Sequence, residues 1–396
     1  MKKISVFRLF VFIFLYSLVA NFAHPITPTF IQNLKLHDYM FGVAFACMSI
    51  TNFVFSPFWG KISRNFGISK VLGFCFLGYA GAQLIFGWST SELGIMIARL
   101  IGGVFISGIT VNNILYVIDN SPAETRGRDL ATSATINAVT AAFGFMIGGF
   151  LGDISISLTF NVQAIGLALI GLAHFFLLDD DKEKMTHLPM KEVLQKSNPF
   201  QALIDAKDVI TTVIICFLAV CAFTAFASTC YEQCFNYFIK DQYGFPPSYN
   251  GLLKAAVGII AFIANSTICN YLLKKTNVLK SIIPVLTICF AMMVSIVALD
   301  AVVPFIIMNV VFFGFNAVYK PLLQTSITYF NDVDNGIMVG LYNSMCALGN
   351  VGGSLLAGFI YAVHPKMSFI VSAIAFLLSV VFAYMLYKRK QAIKTV

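Results

Sequence analysis

The chain has 396 residues, of which 58% are apolar and only 11% charged, with a mean hydropathy of +0.83 and a formal net charge of +8. A soluble domain carries about 25% charged residues, so this composition excludes a soluble enzyme, a nucleic-acid binder and a disordered chain. With 40 Phe and 14 Met adding apolar bulk, it reads as a polytopic membrane protein.

A hydrocarbon core about 30 Å thick takes roughly 20 apolar residues of helix. Twelve runs meet that demand, at about 9–31, 39–59, 68–88, 93–118, 130–151, 156–178, 209–239, 250–273, 281–299, 302–328, 336–362 and 367–387. They are continuously apolar and do not alternate with period two, which predicts helices rather than barrel strands. The first follows Lys2, Lys3 and Arg8 as a signal peptide would. It continues through Pro25 and Pro28 to Ile31, however, and reads as an uncleaved first span.

One long polar interval separates six spans from six. The expected organisation is an N-terminal six-helix bundle over 1–178, a cytoplasmic linker over 179–208 with a short surface helix around Met190 to Lys196, and a C-terminal six-helix bundle over 209–396. Placing the N-terminus inside puts Lys2, Lys3, Arg8, Lys61, Arg64, Lys70, Arg126, Arg128, the linker lysines, Lys274, Lys275, Lys280 and the basic C-terminal tail on one side. Of the 26 Lys and Arg, only Lys35, Lys240 and Lys366 fall in the opposite segments. The positive-inside rule then predicts a plasma-membrane protein with both termini cytoplasmic. It also accounts for the net charge without an anionic partner. Trp59 and Trp88 fall at span ends, where interfacial anchors are expected.

The halves read as repeats. Thr140-x-x-x-Gly144-Phe145-Met146-Ile147-Gly148-Gly149 in span five is echoed by Gly349-x-x-x-Gly353-Ser354-Leu355-Leu356-Ala357-Gly358 in span eleven. Arg64-Asn65-Phe66-Gly67 after span two is echoed by Lys274-Lys275-Thr276-Asn277 after span eight. The small residues Gly144, Gly148, Gly149, Gly349, Gly353 and Gly358 are expected to let helices approach closely. Two pseudo-symmetric bundles in a twelve-helix, all-α chain mark a secondary transporter with its site between the halves.

Particular motifs add a family. Between spans two and three, Gly60, Ile62, Ser63 and Gly67 fit the loop pattern Gly-x-Leu-Ala/Ser-Asp-Arg/Lys-x-Gly, with Lys70 a displaced basic residue and Arg64 at the acidic position. Arg99-Leu100-Ile101-Gly102-Gly103 is similar to an Arg-x-x-Gln-Gly stretch, and Pro122-Ala123-Glu124-Thr125-Arg126-Gly127-Arg128 follows span four. Span one carries Pro25-Ile26-Thr27-Pro28. Span five is similar to Gly-x-x-x-Gly-Pro-x-x-Gly-Gly, with Thr140 for the first Gly and Phe145 for the Pro. In these residues the chain resembles the major facilitator superfamily over nearly its whole length, and the drug/proton antiporter branch most in pattern. The resemblance implies alternating access, an Arg99 that faces the cavity, and an inner gate at Gly60, Arg64 and Gly67. At that gate the family's acid sits beside the start of span eleven. Here Asp332 and Asp334 precede that span and are expected to cap its positive end and pair with Arg64.

Charges inside spans cost at least ~2.5–3.5 kcal/mol each on insertion scales, so each calls for a reason. Arg99 is read as the holder of a negative charge, on substrate or on a protein acid. Glu232, the acid set well inside a span, is read as the proton carrier. His24, at nearly the equivalent position of span one, is expected to face it across the pseudo-two-fold. Lys320 is a further pathway candidate, and Lys254 a lysine reaching for the interface. Asn112, Asn113, Asn137 and Gln163 offer neutral hydrogen bonds. No metal site is expected: the nine Cys show no C-x-x-C and the His are dispersed. No Walker loop and no nucleophile–base pattern stands out, so neither enzyme chemistry nor a cofactor is expected, and the energy must come from a gradient. The leading expectation is a monomeric, proton-coupled exporter of small amphiphilic organic or drug-like compounds. The alternative is an uptake symporter or exchanger for an anionic metabolite.

Overall fold

In the computed structural model, which describes residues 2–395 apart from 123, 179–188, 196, 202–203, 205–206, 208–209 and 331–334, the first span is broken into α1 (Lys2–Ala20) and α2 (Ala23–Asn33). Pro25 explains the break. It has no N–H for the Asn21 carbonyl, and its ring crowds that group. The Gln163 amide donates to the Ala20 carbonyl at 2.7 Å, and Asn21 donates to the Ser17 carbonyl at 2.6 Å. Gln163 is thus a structural residue at the break.

The helices that follow are α3 (Met40–Phe66), α4 (Ile68–Trp88), α5 (Glu92–Asn120), α6 (Arg126–Ile154) and α7 (Ile156–Leu177), then the six-residue α8 (Met190–Gln195). Next come α9 (Thr212–Asp241) and α10 (Pro247–Ala264), which runs through a π-turn (Asn265–Cys269) into α11 (Asn270–Lys275). The chain ends with α12 (Val278–Ala298), α13 (Val302–Ser326), α14 (Asn335–Tyr361) and α15 (Met367–Thr395). Among the described residues, 12 helical stretches are long and apolar enough to cross a membrane. The fold is all-α, as the sequence leads one to expect. Several ends carry their own caps: the hydroxyls of Ser91 and Ser155 accept from the N–H of Gly94 and Leu158, and the Asn277 amide oxygen accepts from Lys280 N–H.

Two expectations need correcting. Span two does not stop at Trp59 but continues two turns to Phe66, because Lys61 and Arg64 sit on helix rather than in a loop. Trp59 is no interfacial anchor either. It is 6% exposed, with its indole N–H donating to the Val104 carbonyl at 2.6 Å. Trp88, 66% exposed at the end of α4, keeps the anchoring position.

The chain forms two compact units. The first comprises Met1–His37, Cys47–Pro199 and Gly244–Gly258, and the second Asp38–Ala46, Phe200–Tyr243 and Ile259–Val396. Each sequence half therefore lends a helical segment to the unit built mainly from the other. In the first unit, Leu9, Leu72, Phe76, Tyr116, Val117 and Leu167 form a core that also takes in Val193 of α8. His174 is buried there between the rings of Phe12 and Phe76, at 4.1 and 4.8 Å.

In the second unit, α9 packs most extensively on α14 and α15. Its core is aromatic: Tyr231 lies 4.3 Å from Phe312, and Phe238 5.2 Å from Phe305 and 5.3 Å from Phe369. Polar bonds cross this core. Tyr231 donates to Asn309, Ser228 to Asn316 at 2.7 Å, and Thr229 to Asn350 at 2.8 Å.

The glycine repeat has the same use in both units. A Cβ on Gly148 would run into the Phe22 carbonyl, and one on Gly353 into the Phe226 carbonyl. Gly144 and Gly349 meet the backbone at Leu18 and Ala222 in the same way. A Cβ on Gly149 would sit 2.6 Å from the Pro247 carbonyl, and one on Gly358 would run into the Tyr39 carbonyl.

Candidate functional site

The site residues divide between the units: His24, Arg99, Asn112, Asn113 and Asn137 lie in the first, Glu232 and Lys320 in the second. Two groupings stand out in the first unit.

One is cationic and aromatic. Arg99, on α5, lays its guanidinium carbon 3.8 Å from the centre of the Phe86 ring. One terminal nitrogen points at the Met48 sulfur, 3.7 Å away, and the buried Nε has no hydrogen-bond partner. Among the described residues no carboxylate pairs with Arg99. His24 of α2 meets the Phe145 ring edge-on at 5.6 Å, and Lys254 Nζ lies 5.0 Å from the centre of that ring. Cation–π contact offsets part of the cost of a cation in a span, but it does not neutralise the charge. The grouping can therefore hold an anionic group against aromatic walls. Phe145, at the position where the motif has Pro, supplies one of those walls.

The other is neutral. A cavity of about 400 Å³ is lined by Tyr16, Thr110, Asn113, Ser133 and Asn137 together with Ile13 and Leu130. The Ser17 hydroxyl donates to the Asn137 amide oxygen at 2.5 Å, which leaves that amide its N–H donors. Thr110 gives its proton to the Ile106 carbonyl at 3.0 Å. The cavity thus offers two amides and several hydroxyls over an apolar floor. Asn112 is not part of it: a residue further back on the helix, it is buried and donates to the Gly108 carbonyl at 2.8 Å.

At the other candidate positions the geometry varies. Glu232 is exposed on α9, while Cys230 and Cys234 are buried and turn to the Ser368 and Pro365 carbonyls. Lys320 is exposed on α13, beside a buried Tyr319 whose hydroxyl is 2.7 Å from that of Ser228. Arg64 is engaged by Asp119 in the same unit, its second nitrogen 3.3 Å from the second carboxylate oxygen. Asp332 and Asp334 lie outside the described residues. Gly67 has φ +95°, a conformation that favours glycine. Gly60 has room, since a Cβ there would sit 3.6 Å from Val111. Among the described residues no His, Cys, Asp and Glu cluster could hold a metal.

Sequence reasoning missed Phe86, Phe145, Tyr16, Thr110 and Ser133 as wall residues. Tyr16 and Ser133 carry no charge and break no pattern. Thr110, one turn before Asn113 and Ile114 on α5, had a usable signal in its helical spacing.

The profile of the Major Facilitator Superfamily matches residues 9–331. Multidrug resistance protein 1 of Bacillus subtilis is 21% identical over 369 residues, 93% of this chain and 92% of that protein. The quinolone resistance protein NorA of Staphylococcus aureus is 23% identical over 363 residues, 91% and 90% of the two chains. Among solved structures, a bacterial homolog of the human lysosomal transporter Spinster, inward-facing and unoccupied, superposes with a TM-score of 0.78 at 12% identity, covering 98% of this chain and 97% of that one. At that identity the likeness is one of fold.

Proposed function

Because the chain belongs to the major facilitator superfamily, and so is a multi-pass plasma-membrane transporter, we propose that it exports small amphiphilic organic compounds in exchange for protons by alternating access. The observation that carries this reading is the neutral cavity of the first unit. Its amides and hydroxyls over Ile13 and Leu130 suit a ligand with an apolar body and a few hydrogen-bonding groups. The two resistance proteins, similar over about nine-tenths of the chain, support the same substrate class. In this reading Glu232 carries the proton, Arg99 answers its charge or that of the substrate, and Gly60, Arg64, Gly67, Asp332 and Asp334 belong to the inner gate. The termini are cytoplasmic and the working form is a monomer.

The test is flux of a panel of fluorescent amphiphiles in proteoliposomes under an imposed pH gradient. Substrate extrusion coupled to proton entry is expected. Flux indifferent to the gradient would overturn the coupling.

A second reading is favoured by Arg99, a span cation with no carboxylate partner among the described residues. Here Arg99 holds the anionic group of a metabolite that is taken up or exchanged. Gradient-independent exchange of an organic anion selects this reading over the first.

A further inference from the structure

A second cavity, of about 500 Å³, opens at the basic end of the first unit, away from both groupings described above. Its walls are Trp59, Ile62 and Phe66 of α3, Lys70 and Phe74 of α4, and Met190 of α8. The side chains divide sharply by chemistry. Trp59 spends its N–H on the Val104 carbonyl and offers only the apolar part of its ring. Phe66 and Phe74 are 54% and 55% exposed, though each belongs to a span. Lys70 is exposed one turn before Phe74, on the same face of α4.

The neighbourhood is positive. Lys61 and Lys191 are exposed on α3 and α8, and Glu192, the one acid of α8, is half-buried. Val193 is fully buried in the core of the unit and pins α8 in place, while Met190 and Leu194 stay exposed on one apolar face. A short helix with exposed apolar side chains and adjacent lysines belongs at a bilayer surface.

An apolar slot at the bilayer surface with a cation beside it matches one kind of molecule: a chain of hydrocarbon ending in a negative headgroup. A zwitterionic lipid would fill the slot but leave Lys70 without a net charge to answer. We propose that this groove binds an anionic glycerophospholipid, with one acyl chain against Trp59, Phe66 and Phe74 and its phosphate on Lys70. The bound lipid would join α8, and with it the linker, to the ends of α3 and α4.

Trp59 makes the test direct, because Trp88 is the only other tryptophan in the chain. The full chain carrying Trp88→Phe is reconstituted in phosphatidylcholine vesicles that hold a minor fraction of brominated phosphatidylglycerol. A parallel sample holds the same fraction of brominated phosphatidylcholine with unbrominated phosphatidylglycerol. Bromine quenches tryptophan only at short range. The expected result is quenching of Trp59 as if phosphatidylglycerol were enriched about fivefold beside it, the factor one lysine supplies at an anionic surface. Lys70→Gln should abolish the enrichment and Lys70→Arg should keep it. Equal quenching by the two brominated lipids overturns the proposal, and so does an enrichment that survives Lys70→Gln.

Discussion

Arg64 spreads its guanidinium over both carboxylate oxygens of Asp119, joining the last turn of α3 to the last turn of α5. The C-terminal end of a helix disfavours a negative charge such as Asp119, and a cation laid against it removes the conflict. Asp119 is the more buried partner, its side chain 9% exposed against 29% for Arg64.

Asp119→Ala should therefore destabilise the protein by about 1–3 kcal/mol, since it leaves a half-buried guanidinium without its charged hydrogen bonds. The exchange Arg64→Asp with Asp119→Arg should recover part of that loss in a double-mutant cycle on thermal unfolding in detergent. Strict additivity would count against the pair. If Asp332→Arg or Asp334→Arg rescues transport by Arg64→Asp and Asp119→Arg does not, the gate pairing expected from the sequence is the functional one.

Arg99 should tolerate little. Arg99→Ala removes the cation over Phe86 and is expected to lower the rate of substrate flux by about tenfold or more, a change worth ~1.4 kcal/mol. Arg99→Lys keeps the charge but loses the planar stack and fork, so an intermediate rate is expected. Unchanged flux in the alanine variant would remove Arg99 from the transport pathway.

Asn113 and Asn112 are neighbours with opposite surroundings. Asn113→Leu should raise the half-saturating concentration of a transported amphiphile several-fold while leaving the melting temperature close to that of the parent, because the amide faces the cavity. Asn112→Leu acts inside the packed bundle and is expected to change melting and not half-saturation. A reversed pattern would move the ligand site off the cavity.

Gly353 and Gly352 provide a steric contrast at adjacent positions. A Cβ on Gly353 collides with the Phe226 backbone, whereas one on Gly352 would sit 3.5 Å from the Phe226 ring, in ordinary contact. Gly353→Ala should cost about 1–3 kcal/mol or more through forced separation of α9 and α14. Gly352→Ala should be near neutral. Thermal unfolding of the two variants in one detergent decides.

Acid should probe the loop pair of Asp300 and Lys366. Lys366 Nζ lies 2.6 Å from the Asp300 carboxylate and also donates to the carbonyls of Val297 and Leu299 at 3.1 and 2.9 Å. The hydrogen bond and charge of Lys366 hold the Asp300 carboxyl below its ordinary 3.8. A depressed folded value gives stabilisation that is fully present above the unfolded value and lost as the pH falls through the folded one. The difference in melting between the parent and Asp300→Asn should thus be constant above about pH 5 and shrink below about pH 4. High salt should shrink it at every pH, since the carboxylate is exposed.

The spans were legible because apolar length is a demand of the bilayer, not of any neighbouring residue. The end of α3 was not. Lys61 and Arg64 look like loop charges, yet a helix that has left the hydrocarbon keeps its hydrogen bonds in water. Trp59 misled for a related reason: its place near an apparent span end suggested an interface, while its N–H had found a carbonyl on α5. The charge of Arg99 marked it in the sequence, but its bed on Phe86 did not show, since any of 40 Phe had equal claim. Asn112 and Asn113 look alike in sequence, and only a turn of about 100° along the helix sends one into packing and the other to the cavity. The partner of Arg64 lies 55 residues away, a pairing that only the packing of α3 on α5 creates.

The exchange of segments between units sets an order of assembly during synthesis. The first unit takes in Gly244–Gly258, so Gly149 of α6 has no backbone at Pro247 to lie against until that stretch has left the ribosome. At roughly 5–20 residues per second, the first six spans must wait in the bilayer for several seconds after the linker is made, with the Gly149 side of α6 uncovered. The second unit has no such wait, because Asp38–Ala46 is already in the membrane when α14 arrives. Premature release of the chain within the linker would therefore strand an unfinished first unit, a natural substrate for membrane quality control.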